Sequence, residues 1–352
     1  MTHPAQSPFF NLPTELVILI LTFAARPHFA LIGDGTPKQR DPYSSARTLC
    51  CVSRDVRRVI LPVMLETVFL SQDRQVIAFL HALRMQKGYS EQGNHLAFAY
   101  AAHVRRIWVG GICAPRGESS CLGGRTCLSA EPEVDFEILA PVLLAAPSIA
   151  IDCESMYLLD GCIQVALRTS TRQGRSGPRW RTNTLTLSGF IDTFRMLKSI
   201  TEGSSFFSSI SRLIFVPPVV TTNARHHGNL NAALWTTSYP RSSFGNLQTI
   251  SVAFPFVEFP DTDEPDSIVI SKMRIPLITL PVPPLSDRSV DLLSVLADRA
   301  EAKAEEAYKN MDPFSGEGVV LRFGNIYCGG RYDLFVNWEE AWARGYGQFV
   351  GN

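Results

Sequence analysis

Residues 96–111 read Leu96-Ala97-Phe98-Ala99-Tyr100-Ala101-Ala102-His103-Val104-Arg105-Arg106-Ile107-Trp108-Val109-Gly110-Gly111. Leu96 to Ala102 suits a helix, Val104 to Val109 concentrates β-branched and aromatic residues, and two glycines make a turn. Helix, strand and turn in succession are the unit on which the chain is built. Upstream, Met64 to Leu70 reads as a strand after Pro62. Ser71 then caps a helix that buries Val76, Phe79, Leu80 and Leu83. Downstream, Phe136 to Ala146 predicts a helix carrying Ile138, Leu139, Val142 and Leu143 and stopped by Pro147, with a strand from Ser155 to Asp160.

Further strands are expected at Thr184–Gly189, Arg212–Val216, Leu247–Val252, Leu277–Leu280 and Gly318–Phe323, with a helix at Phe190–Ile200. Leu185, Leu213, Ile250 and Ile278 mark four of these strands at spacings of 28, 37 and 28 residues. A strand plus a return segment at that period falls within the range of leucine-rich solenoids, in which each unit needs only its neighbours. Loops at Arg168–Arg181, around His226-His227, and at Glu258–Asp266 absorb the irregularity. After Pro281, Pro283 and Pro284, a helix capped by Ser286 or Asp287 turns Val290, Leu293, Ala297, Ala300, Ala304 and Ala307 to one side. Glu305 and Lys309 form a favourable pair on it. It reads as a cover for the end of the solenoid, with the tail Trp338-Glu339-Glu340-Ala341-Trp342 packing back.

The N-terminal part differs in kind. Phe9-Phe10-Asn11-Leu12-Pro13-Thr14-Glu15-Leu16 opens a helix, with Leu12 at the N-cap, Pro13 at the first helical position and Glu15 near the positive end of the dipole. Leu16, Leu19, Ile20, Phe23 and Ala24 then recur at helical spacing. Beyond a polar insert, residues 26–42, a second helical stretch sets Leu49, Val52, Val56 and Ile60 on one side. Helices this short and this apolar need the rest of the chain or another protein to cover them. The expected organisation is therefore a loose terminus at 1–8, a helical domain at 9–62, a strand-and-helix solenoid at 63–285, and a capping helix, last strand and tail at 286–352.

Composition narrows the function. An apolar share of 45% with 19% charged residues describes a folded chain rather than a disordered one. A formal net charge of zero supplies no global field for nucleic acid or anionic membrane. Eight cysteines over 352 residues do not make a disulfide scaffold, and no Asn-x-Ser/Thr triplet occurs. The run Leu16–Ala25 is too short to span a bilayer and no Lys or Arg precedes it, so a cytoplasmic or nuclear protein is expected. Phosphate-loop, dinucleotide, zinc-protease and serine-elbow motifs are absent. Cys113, Cys121, Cys127 and His103 lack paired zinc spacing, and His226-His227 would diverge as ligands. Asp261, Asp263, Glu264 and Asp266 lack the glycine and terminal glutamate of a calcium loop. Arg168, Arg172, Arg175, Arg179 and Arg181 have aromatic company only from Trp180, too little for a nucleic-acid surface. No cofactor or metal and no catalytic constellation is expected.

The opening stretch resembles an F-box. The Leu-Pro-x-Glu-Leu-x-x-x-Ile-Leu helix opening of that family is matched by Leu12, Pro13, Glu15, Leu16, Ile20 and Leu21. Its Leu-x-x-Val-Ser/Cys-Arg-x-Trp-Arg half is matched by Leu49, Val52, Ser53, Arg54 and Arg57. Val56 stands where the family has tryptophan, and the insert is longer than usual. The chain as a whole is similar to fungal F-box-like proteins with degenerate leucine-rich C-terminal regions. The resemblance implies a non-enzymatic substrate receptor of a cullin–RING ubiquitin ligase. Leu12, Pro13, Glu15, Leu16, Ile20, Leu49, Val52, Ser53, Arg54 and Val56 would dock a Skp-type adaptor, while the solenoid would hold a substrate protein. A scaffold on the same frame, with no ligase attached, is the alternative.

Overall fold

A computed structural model describes residues 12–29, 41–110, 134–152, 155–172, 178, 180–188, 204–216, 219–221, 244–253, 270–273, 277–282, parts of 299–310, 319–326, 331–336 and 338–345. The chain begins with three helices, α1 (Thr14–Ala25), α2 (Ser44–Cys50) and α3 (Arg54–Glu66). Pro13 itself is the N-cap of α1, one residue later than expected, and its carbonyl accepts from the Leu16 and Val17 N–H groups at 3.0 and 3.1 Å. The second expected helix is broken in two by the turn at Cys51-Val52. Ser53 restarts it, its Oγ accepting the Val56 N–H at 3.2 Å. Replacing Ser53 with alanine should cost about 1 kcal/mol of stability, read as a lower denaturant midpoint with unchanged slope.

Helix α3 runs through Pro62 to Glu66, so the expected boundary at 62/63 falls inside a helix and the first strand starts at Thr67 rather than Met64. Leu61 and Leu65 are buried, and their burial outweighs the one helical bond that Pro62 cannot make.

Seven strands form one sheet: β1 (Thr67–Leu70), β2 (Arg106–Val109), β3 (Ser148–Asp152), β4 (Thr184–Ser188), β5 (Arg212–Val216), β7 (Thr249–Ala253) and β9 (Leu277–Pro281). Here β6 is Val219–Thr221 and β8 is Ile270–Met273. The sheet order follows the chain order, parallel from β1 to β7 and antiparallel for β9. The returns between the first five strands contain α4 (Asp73–Glu91), α5 (Tyr100–His103), α6 (Phe136–Leu143), α7 (Met156–Arg172) and α8 (Ser204–Phe207). Parallel neighbours require such crossovers, since a two-residue turn cannot bring the chain back.

Register explains the core. Val68, Ile107, Ile149, Leu185, Leu213 and Ile250 stand opposite one another across six strands, and all join the main apolar core with α4, α6 and α7 or pack beside it. Three of the marker residues, Leu185, Leu213 and Ile250, thus share one row. The fourth does not: β9 is reversed, and Leu280, rather than Ile278, lies opposite Ile250. The alternate row, Trp108, Ala150, Thr186, Ile214 and Ser251, is buried as well. The sheet is covered on both faces, as parallel sheets are.

One expectation fails here. The strand placed at Ser155–Asp160 is the start of α7, and the strand is β3, directly after Pro147. Ile149, Ala150 and Ile151 are all buried, so β3 shows no alternation. Leu158, Leu159, Cys162 and Ile163 instead recur at the helical period on the buried side of α7. Gly161 in α7 lets Phe136 approach; a Cβ there would lie 2.4 Å from the phenylalanine ring. Gly161→Ala is therefore expected to destabilise by about 1–3 kcal/mol despite alanine's helix propensity, measured by chemical denaturation.

The strand near Val320 is not part of the seven-stranded sheet. It is β10 (Val319–Ile326), which pairs antiparallel with β8 and with β11 (Arg331–Val336), β11 in turn pairing with β6. The order of this second sheet is β6–β11–β10–β8. The C-terminal helix expected from Ser286 is seen only in part: the described residues from Arg299 to Lys309 are helical, Ala300 is buried in the main core, and Ala307 packs beside it. Its beginning, like the helix expected at Phe190–Ile200, lies outside the described residues. A last helix, α9 (Trp338–Ala343), carries the tail back onto β2, where Trp342 meets Trp108 with ring centroids 5.5 Å apart.

Candidate docking surface

The three N-terminal helices close over a small core of their own. Ala25, Ala46 and Ile60 are buried at its centre, with Leu21, Leu49, Cys50, Val56, Val59, Val63 and Met64 around them. Burial raises the Cys50 thiol pKa, partly offset by the nearby Arg57 charge, so this sulfur is kept protonated. The ends of the insert are tied: the His28 N–H donates to the Pro42 carbonyl at 3.0 Å, and Arg47 pairs with Asp41 at 2.7 Å. Residues 30–40 of the insert lie outside the described residues.

Helix α1 is apolar on both sides. Leu21 and Ala25 point into the small core, while Leu16, Leu19, Ile20 and Phe23 point away from it. At 100° per residue these four fall within a single stripe. All are exposed, Phe23 to 58%, and the Arg26 guanidinium lies over its ring at 4.5 Å. Leu12 and Ile18 are exposed on the same helix or at its entry, and Val52, in the turn before α3, is exposed to 67%.

Among the described residues, large exposed apolar side chains occur at nine positions, and only Ile77 and Met85, both on α4, lie outside Leu12–Val52. Fully burying a Leu, Ile or Phe side chain contributes about 1.5–3 kcal/mol, so a half-bare stripe of four leaves several kcal/mol unrealised. A helix apolar all round is normally buried, and a concentrated apolar patch marks an interaction site.

The expected site residues divide accordingly. Leu12, Leu16, Ile20 and Val52 are on the surface, and Pro13 and Glu15 border it at the start of α1. Arg54 is exposed at the first position of α3. Leu49 and Val56 are half-buried and pack against the small core. Ser53 is exposed, but its hydroxyl serves the helix cap. Leu19 and Phe23 belong to the surface although the motif does not name them; the i, i+3, i+4, i+7 spacing from Leu16 is the signal that finds them.

Elsewhere, an open groove of about 370 Å³ lies between α4, α5 and α6, with Leu83, Phe98, Ile138 and Val142 among its walls and Lys87 and Glu137 as charged neighbours. The buried Gln86 amide is occupied there, accepting the Phe98 N–H at 2.8 Å. Among the described residues no group of three His, Cys, Asp or Glu is arranged to hold a metal, and no helix is long and apolar enough to cross a membrane.

Fold and surface define the class: a mixed α/β protein with a mostly parallel seven-stranded sheet, whose N-terminal helices offer a bare apolar face. The chain matches no protein-family model, no curated protein and no solved structure.

Proposed function

We propose that this chain is an F-box-type substrate receptor of a cullin–RING ubiquitin ligase, acting in the cytoplasm or nucleus. The observation that carries the reading is the bare outward stripe Leu16, Leu19, Ile20 and Phe23 of α1, together with the exposure of Val52 in the turn before α3. An amphipathic helix face laid into an apolar groove is a common recognition mode, and a Skp-type adaptor supplies such a groove. The F-box-like residues Leu12, Pro13, Glu15 and Leu16 fall at the start of this same helix.

The strand-and-helix body, with sheet order following chain order, fits an irregular leucine-rich-like solenoid and is the part that holds the substrate protein. The row from Trp108 to Ser251 is already covered, so the substrate surface lies outside it. The ligase mechanism asks for no chemistry from this chain. Holding a substrate lysine near the activated ubiquitin raises its effective concentration, and that proximity accelerates transfer.

Co-expression with a Skp-type adaptor followed by size exclusion tests the reading: a stoichiometric complex is expected. Failure to form one at micromolar concentrations would leave the same surface to a scaffold without a ligase.

A further inference from the structure

The groove between α4, α5 and α6 carries polar groups that docking an adaptor leaves unused. Its walls Leu83 and Val142 belong to the main core, and Phe98 and Ile138 pack against that core. Phe98 is stacked on His103 with ring centroids 4.7 Å apart, and Arg84 of α4 pairs with Asp135, the N-cap of α6, at 3.6 Å. The walls are therefore held in place before anything binds, which lowers the ordering cost of binding. A volume of about 370 Å³ lies at the lower end of the range for small-molecule sites.

Gln86 is 7% exposed, and the Phe98 N–H engages its side-chain amide only through the oxygen. A backbone N–H can only donate, so this bond fixes which end of the amide is oxygen and sets the NH2 at the other. Among the described residues no group accepts from that NH2. An amide NH2 so far out of water is costly to leave unpaired, and the groove that Gln86 lines is where an acceptor can reach it. Lys87, the next residue of α4, also lines the groove and is exposed. It makes no ion pair among the described residues, since Asp135 is taken by Arg84. Two donors, one of them cationic, thus border an apolar cleft. Glu137 of α6 is the one acidic residue on its walls.

We propose that this groove binds a small apolar monocarboxylic acid, its hydrocarbon body between Leu83, Phe98, Ile138 and Val142 and its carboxylate on the Gln86 NH2 and the Lys87 ammonium. A carboxylate offers two oxygens, one for each donor, and its charge makes both hydrogen bonds stronger than neutral ones. The body gains by leaving water for the apolar walls. Glu137 repels a second carboxylate, so the site discriminates against diacids. The small volume suits a free acid rather than a length of polypeptide. Nothing in this site depends on adaptor docking, which uses a different face of the chain.

Titration of the full chain with 3-phenylpropionate at neutral pH, followed by NMR, tests the proposal. The side-chain NH2 resonances of Gln86 should shift and saturate with a Kd of about 0.1–1 mM, as suits a ligand of this size. Lys87→Met keeps the stem of an exposed side chain and should weaken binding at least about fivefold. Gln86→Glu can still accept the Phe98 N–H but turns a donor into a repelling oxygen; the Phe98 and Ile138 amides should then report at least about tenfold weaker binding. No saturable shift of Gln86 up to about 10 mM acid overturns the site, as does undiminished binding by Lys87→Met. Tighter binding of 3-phenylpropylamine would reverse the polarity assigned to the groove, and tighter binding of a glycine-rich peptide ending in phenylalanine would make it a peptide site. Either result overturns the proposal. No adaptor enters these measurements, so their failure is separate from failure of the proposed function.

Discussion

Leu16→Asp and Ile20→Asp are each expected to weaken capture of a Skp-type adaptor by at least about 100-fold, roughly 3 kcal/mol, the size of a hot-spot loss. Both side chains belong to the outward stripe of α1, and each substitution places a carboxylate where an apolar groove would have to strip it of water. The folded chain has little reason to respond, because neither residue contributes to the small core of Ala25, Ala46 and Ile60. Thermal midpoints should therefore stay with the parent while binding disappears, as measured by calorimetry on the purified pair. Val52→Ser should give a smaller loss, since it removes contact area without adding charge. Undiminished binding by both aspartate variants would remove this face from the interaction. Replacing Leu49 or Val56 is a poor substitute test: both pack against the small core, and lost binding would then mix contact loss with lost stability.

The largest loss of stability is expected in the middle of the sheet. Leu213 is wholly buried, with Leu185 and Ile250 opposite it on the two flanking strands. Leu213→Ala removes three carbons from a row held on both sides by backbone hydrogen bonds, so neighbours have little freedom to close the cavity. A loss of about 3 kcal/mol follows, within the 2–5 kcal/mol range for buried leucine truncations. Phe23→Ser is the contrast: a larger apolar side chain is removed, but from a mostly exposed position, and stability of the isolated chain should change by about 0.5 kcal/mol or less. Urea denaturation of both variants checks the pair. A Leu213→Ala chain as stable as its parent would contradict the central place given to that row.

Local pattern was sufficient for much of this molecule. Thr184–Ser188 and Arg212–Val216 were legible as strands because β-branched and apolar residues cluster there between turn signals. The helix of Val76, Phe79, Leu80 and Leu83 was legible because its burial follows the helical period. Where the pattern was short, it misled: Ser155–Asp160 has the composition of either element, and only the continuation through Cys162 and Ile163 makes it helical. The stripe on α1 was likewise legible as apolar spacing.

Tertiary structure decided the rest. That β9 runs antiparallel, and that β10 joins β6, β8 and β11 in a sheet of their own, depends on partners far apart along the chain. Pairing of that kind leaves no local trace, because a strand's side chains alternate in the same way whichever neighbour it bonds. The sequence by itself determined that α1 is apolar around its circumference. Only packing could decide which side stays bare, since Leu21 and Leu16 are chemically alike and differ in where Ala46 and Ile60 happen to lie.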